Sequence, residues 1–321
     1  MNHDTEMRAD MFFGVSLWAA AVDAIGSPEF YFRLLEAAHG LSGVEHLSAY
    51  TFNAELEAEN QFSGPKQILS YQTEVIYLSD FPDESAAHAA INHFAPRLVL
   101  AIGQKAFALS VRSENTPLLY ALVAEPEKIS TTRSEITGIS LNVSAGHQLQ
   151  LFTSAFSFKK LGVVYSEKNG ATFLRQARKA ASERHLEIVS ASIDHVKEAP
   201  GVIKSMEGRI DALWLIPDTA VLTPSTMEYL AFFSLKHRIP IFSFSEKLLQ
   251  YGATAAVSFD IEALGRQAAG MAHRILDGTP VSAIAAEEPA GIGLKINRSI
   301  IDNLGIKIKA SFRQTVSEDD R

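Results

Sequence analysis

The chain has 321 residues, with 29 Lys and Arg against 37 Asp and Glu, a net charge of −8. At 47% hydrophobic residues it is too apolar to be disordered, and it is long enough for two core-bearing units of roughly 100–200 residues each. The absence of cysteine excludes disulfides, thiolate metal sites, thiol nucleophiles and lipidated cysteines. No basic stripe marks a nucleic-acid surface, and no apolar run reaches the roughly 18–20 residues of a membrane span.

Residues 11–24, MFFGVSLWAAAVDA, have the apolarity of a secretion-signal core, with Val22 and Ala24 as small residues in a cleavage-like arrangement. The preceding MNHDTEMRAD carries one Arg against two Asp and one Glu, whereas such signals begin positive. The same stretch also reads as a cytoplasmic helix, followed by a second helix that Pro28 opens and Gly40 closes. Both readings stay open here.

From Val44 onward, short apolar runs rich in β-branched and aromatic residues alternate with stretches of helical period. Strands are predicted at Val44–Ala49, Glu74–Leu78, Leu98–Ile102 and Leu118–Val123. They resume at Leu161–Tyr165, Glu187–Ile193, Ala212–Ile216, Ile241–Phe244 and Thr254–Val257. Most are apolar on successive positions, the mark of strands covered on both faces in a parallel α/β sheet. Thr223-Pro224 predicts a capped helix running to about His237. Asp260 caps the next, in which Ile261, Leu264, Ala268, Met271, Ala272 and Ile275 recur at helical spacing before Gly278. The polar interval Glu125–Ser144, holding Pro126 and Gly138, reads as the link between two βαβ sheets. Two doubly wound, Rossmann-like α/β lobes with a central cleft are therefore expected, with ligands beyond the carboxyl ends of the strands.

Catalytic templates find nothing to act on. There is no His-Glu-x-x-His, and His88 and His93 are five apart, off a common helical face, so no metal site is expected. No phosphate-loop motif and no G-x-S-x-G elbow occur, and Gly291-Ile292-Gly293 lacks the rest of a dinucleotide fingerprint. Ser157-Phe158-Lys159-Lys160 matches S-x-x-K without its companion motifs. Neither catalytic residues nor a cofactor are expected.

The strand ends carry more. Leu98–Ile102 runs into Gly103-Gln104-Lys105-Ala106, which reads either as an anion-holding turn at a helix start or as a tight βα turn with Lys105 solvated. Tyr120 lies on the next strand, and Leu161–Tyr165 ends in Tyr165-Ser166, with Asn169 shortly after. In Asp211–Thr219 a buried apolar strand breaks at Pro217 and delivers Asp218 to the sheet edge. That carboxylate suits a ligand ammonium, or else serves as a turn or cap residue before the Thr223 helix. Ser245 follows the strand at Ile241–Phe244, its hydroxyl serving a ligand or a helix cap. Hydroxyl, amide, phenol and carboxylate groups without a nucleophile–base pair suit binding rather than turnover.

At these residues the chain resembles the substrate-binding proteins of ABC transporters with the type I periplasmic-binding fold, in the branch that includes binders of tryptophan and other aromatic amino acids. The matching stretches are LVLAIGQKAFALS, TPLLYALVAEPE followed by ITGISLNV, and LGVVYSEKNGATFLRQA. They continue with RIDALWLIPDTAVLTPSTMEYL, HRIPIFSFSEKLLQYGATAAVSFDIEALGRQAAGMAHRILDG and KINRSIIDNLGIKI, all in family order across about residues 96 to 308.

The resemblance implies two lobes that close on a small amino-acid-like ligand by a hinge and deliver it to an ABC permease from outside the cytoplasm. The expected state is a monomer. It implies an N-terminal segment 1–43, a first lobe of 44–142 plus about 258–285, a second of 143–257 plus about 286–311, and a polar tail 312–321. Carried over by position, the pocket draws Ser48, Gly103, Gln104 and Tyr120 from the first lobe, and Asn169, Asp218, Thr219 and Ser245 from the second. Asp218 would take a ligand ammonium and the Gly103-Gln104 turn its carboxylate, with an aromatic wall from Tyr50, Tyr120 or Tyr165. A ligand-sensing module of the same fold, and an enzyme on a doubly wound scaffold, are the alternative readings.

Overall fold

A computed structural model describes residues 51–54, 71–74, 78, 81–112, 116–129 and 133–312. The segment 1–43, the strand expected at Val44–Ala49, Ser48, Tyr50 and the stretch beyond residue 312 lie outside these described residues. The chain divides into two compact units. One holds the described residues up to Asn142 together with Asp260–Gly291, and the other holds Val143–Phe259 and the stretch from Ile292.

The first unit opens with an antiparallel pair, β1 (Thr51–Ala54) and β2 (Tyr71–Glu74), with Thr51 opposite Glu74. Of the strand expected at Glu74–Leu78, Glu74 ends β2, and residues 75–77 lie outside the described residues. Helix α1 (Glu84–Phe94) follows, the Asp83 carboxylate accepting from the Ala86 N–H at its start. Then β3 (Val99–Ile102), α2 (Gln104–Ser110), β4 (Leu118–Val123) and β5 (Ile136–Ser140) build a parallel sheet in the order β3-β4-β5. Strand β5 corrects the reading of Glu125–Ser144 as a link. Its Gly138 lies opposite Tyr120, where a Cβ would stand 2.2 Å from the Tyr120 carbonyl oxygen. Glycine is imposed by that close approach, and it hides the strand in the sequence.

In the second unit α3 (Ala145–Ala155), β6 (Lys160–Tyr165), α4 (Glu167–Ser182), β7 (Glu187–Ser192), α5 (Ala199–Ser205), β8 (Ala212–Leu215), α6 (Pro224–His237), β9 (Ile241–Ser243) and β10 (Ala255–Phe259) alternate along the chain. Next, α7 (Ile261–Leu276) belongs to the first unit and packs on β4 and β5, with Leu264, Ala268, Met271 and Ala272 buried. The second unit ends with β11 (Ile292–Ile296) and α8 (Arg298–Leu304). Its sheet has the order β11-β10-β9-β8-β6-β7, parallel throughout except for β11, which runs against β10.

Both faces of this sheet are covered, and the strands show why they read as continuous apolar runs. Leu161, Val163, Trp214 and Phe242 join a core with Leu149 and Phe152 of α3 and Leu174 of α4. Val164, Leu213, Leu215 and Ile241 join a second core with Ile203 of α5 and Met227 and Leu230 of α6. Successive residues alternate between two buried faces, so no polar side is left to mark the period of two. Phe152 stacks on Phe242 at 4.9 Å and 18°, and Trp214 donates its indole N–H to buried Gln148 at 3.1 Å.

Candidate functional site

Sheet order marks a candidate site. From β6 the chain steps to β7 on one side, then crosses to β8 on the other, so the winding reverses between β6 and β8. At such a point the connections leave in opposite directions and open a crevice at the carboxyl ends of the strands. Those ends are Tyr165-Ser166 after β6 and Ile216–Thr219 after β8, with Phe244-Ser245 after β9 beside them.

Asp218 is the centre of this edge and is only 1% exposed. One carboxylate oxygen accepts the Ser166 N–H at 2.6 Å and lies 2.9 Å from the Ser166 hydroxyl. The other accepts the Ala220 N–H at 3.0 Å and the Asn169 side-chain amide at 3.4 Å. Ser166 is the N-cap of α4, so the buried charge also faces the positive end of a 16-residue helix. Gly170 makes room for it: a Cβ there would stand 2.8 Å from the Asp218 carboxylate. Pro217 ends the strand, and the Asp218 carbonyl accepts from Val221 and Leu222 to shape the turn toward α6.

Four other predicted residues belong to the strand ends of this unit. The Asn169 Nδ2 is also 3.3 Å from the hydroxyl of exposed Thr219, so Asn169, Asp218 and Thr219 form one connected group. The Tyr165 hydroxyl donates to Glu167 at 2.7 Å, and that bond, more than burial, raises the phenol pKa. Ser245 precedes the turn Glu246–Tyr251 without a side-chain cap bond, its backbone held by Ser243. Ser166 and Gly170 were missed as site residues. Their signals are a serine directly after a strand and a glycine within a helix of otherwise good formers.

In the first unit Gly103 takes φ +91 between β3 and α2, which favours glycine. Its N–H already donates to the Ala121 carbonyl at 2.9 Å, so it is not available to a ligand carboxylate. The half-buried Gln104 keeps a buried Oε1 that has no partner among the described residues. Tyr120 is 4% exposed, its ring 4.9 Å from Phe107, and burial pushes the phenol pKa up to about 12, with nearby Glu127 adding to the shift. It presents little surface as an aromatic wall. Beside it Leu122 adopts φ +58 where the β4–β5 register shifts, a strained bulge at the carboxyl end of β4.

Among the described residues no cluster of His, Cys, Asp or Glu could hold a metal ion, and no helix is long and apolar enough to cross a membrane. A narrow space beneath β8 is lined by apolar side chains, Val164, Ile203 and Leu230 among them, and offers a solute no polar side chain.

Two α/β units built on parallel sheets are the architecture of the periplasmic-binding type I fold. Residues 75–318 match the profile of the ABC transporter substrate binding proteins, and the chain belongs to that family. It is 25% identical over 218 residues to a tyrosine-binding protein of Clostridioides difficile, an alignment covering 65% of this chain and 63% of that protein's length. The ligand-free, open structure of a substrate binding protein with adhesive properties from Clostridium difficile superposes with a TM-score of 0.65 at 20% identity, covering 91% of this chain and 92% of the other. The ABC domain in complex with L-Trp from Streptococcus pneumoniae gives 0.51 at 18% identity, covering 89% and 93%.

Proposed function

We propose that the protein captures a small amino-acid-like solute, without turning it over, as the extracytoplasmic binding component of an ABC transporter, and passes it to a permease. The observation that carries this reading is the family match over residues 75–318, which spans both units. The relatives' names, one tyrosine-binding and one solved with L-Trp, point to an aromatic amino acid. The polar edge of the second unit, where Tyr165, Asn169, Thr219 and Ser245 accompany the buried Asp218, would supply contacts to the solute, and Gln104, on the turn after Gly103, is a separate candidate contact on the first unit. A sensory module of the same fold has no feature of its own to favour it.

The test is a thermal-shift and titration-calorimetry screen of the full chain against amino acids, nucleosides, sugars and short peptides. A true ligand at one hundred times its dissociation constant adds about 2.7 kcal/mol. An aromatic amino acid is expected to raise the unfolding midpoint and release heat saturably. A screen in which only sugars or nucleosides bind overturns the amino-acid reading, and a flat screen overturns solute capture from this set. Asp218→Ala is a poor control here, since it leaves the Ser166 and Ala220 N–H groups unpaired at about 1–3 kcal/mol each.

A further inference from the structure

We propose that the outer face of α6 pairs two copies of this chain, helix against helix and antiparallel about Phe232, in a weak symmetric homodimer.

Among the described residues the exposed large hydrophobics are Phe232, Leu235 and Tyr251, at 61%, 46% and 48% exposure. All three belong to one part of the second unit. Phe232 and Leu235 lie on α6, and the turn Glu246–Tyr251 packs beside that helix. The approach is close at its end, where a Cβ on Gly252 would stand 2.9 Å from the Ala231 Cβ. Single exposed hydrophobics are ordinary, whereas large ones gathered on one face mark a surface that a partner covers. The core beneath α6 does not call for them, since Met227, Leu230 and Phe233 already fill it.

The charges on that face select the partner. With about 3.6 residues per turn, Leu235, Glu228, Phe232, Ser225 and Lys236 fall within an arc of roughly 100°, and all five are exposed. Glu228 lies four residues before Phe232 and Lys236 four after it. Reversing the helix about Phe232 therefore sets Glu228 level with Lys236 of the second copy, and Lys236 level with its Glu228. An acidic end meets a basic end twice around an aromatic centre, the self-complementarity that a two-fold interface requires. A parallel pairing would instead set like charges beside each other. Neither Glu228 nor Lys236 has an ion-pair partner among the described residues. The Lys236 ammonium lies 5.7 Å from the Phe232 ring centroid, which keeps it on this face.

The helix has 14 residues and so is about 21 Å long. Two such faces with the flanking Tyr251 cover less than the roughly 1,600 Å² of a standard interface, which places the dimer in the weak class. At low concentration the chain stays the monomer that the resemblance implies.

Sedimentation velocity of the full chain, from about 1 to 500 µM, tests this and is expected to show monomer giving way to dimer. Phe232→Glu should weaken association about thirtyfold or more, with the unfolding midpoint unchanged. Glu228→Lys and Lys236→Glu should each be monomeric alone, because like charges then face each other. Mixed together, the two should form a heterodimer, in which every facing pair is again opposite. The double variant Glu228→Lys/Lys236→Glu should self-associate as wild type does. If Phe232→Glu does not fold, the charge variants still decide. The proposal is overturned if wild type stays monomeric throughout, if both single charge variants dimerise as well as wild type, or if mixing them restores nothing. Flotation with phosphatidylglycerol vesicles is run beside it: binding by a monomeric wild type, lost in Phe232→Glu, would assign the face to a lipid surface and overturn the dimer.

Discussion

Gly170 lies in the first turn of α4, where glycine weakens a helix by roughly 1 kcal/mol relative to alanine. It is kept there by the buried carboxylate of Asp218 and by Tyr165, each 2.8 Å from where a Cβ would stand. Gly170→Ala is thus expected to destabilise by about 1–3 kcal/mol despite the better helix former, as overpacking does. Urea unfolding reads this directly, and an unchanged or higher midpoint would mean that Asp218 moves aside without penalty. The position of Asp218 just beyond an apolar strand was legible, because Pro217 interrupts that strand and sets the turn that follows. That its charge would be enclosed by Ser166, Ala220 and Asn169 was not legible, since these donors lie 52, 2 and 49 positions away.

Helix α6 shows how far local chemistry reaches at the scale of an element. Thr223 accepts from the Thr226 N–H at 3.3 Å, Pro224 occupies the first position, and Arg238 ends the helix at φ +56. Its residues 224–237 coincide with the stretch expected from the cap and the proline. Thr223→Ala is expected to lose about 1 kcal/mol, measurable as a lower urea midpoint with an unchanged slope. The helix after Asp260 was equally legible, its carboxylate accepting from the Ala263 N–H at 3.0 Å and Gly278 taking φ +96 beyond its end. Strands β5 and β11 were not. The first is interrupted by a glycine demanded by Tyr120, and the second is an edge strand whose glycine sits opposite Ser258. Each is defined by a partner strand rather than by its own composition.

Across the whole molecule, the burial of Tyr120 couples stability to pH in the alkaline range. Its phenol is neutral in both states below about pH 10. Above that the unfolded chain ionises first, because burial holds the folded group to about 12. The unfolded state then binds fewer protons than the folded one, so stability is lost as pH rises through this window. Thermal midpoints measured from pH 8 to 11 are expected to fall less steeply at the top of the range in Tyr120→Phe than in wild type. Identical slopes would place the ionisation elsewhere.

The sequence by itself determined the alternation of helix and strand, the two-sided burial of the strands, the capped ends of α6 and α7 and the family. Each of these rests on spacing, on turn chemistry within a few residues, or on order along the chain. Only the tertiary structure decided the strand order that sets the switch point between β6 and β8, the pairing that revealed β5 and β11, and which donors surround Asp218. Those depend on groups distant in sequence brought within 2.6 to 3.4 Å, and a linear pattern carries no record of which donors will surround an acceptor.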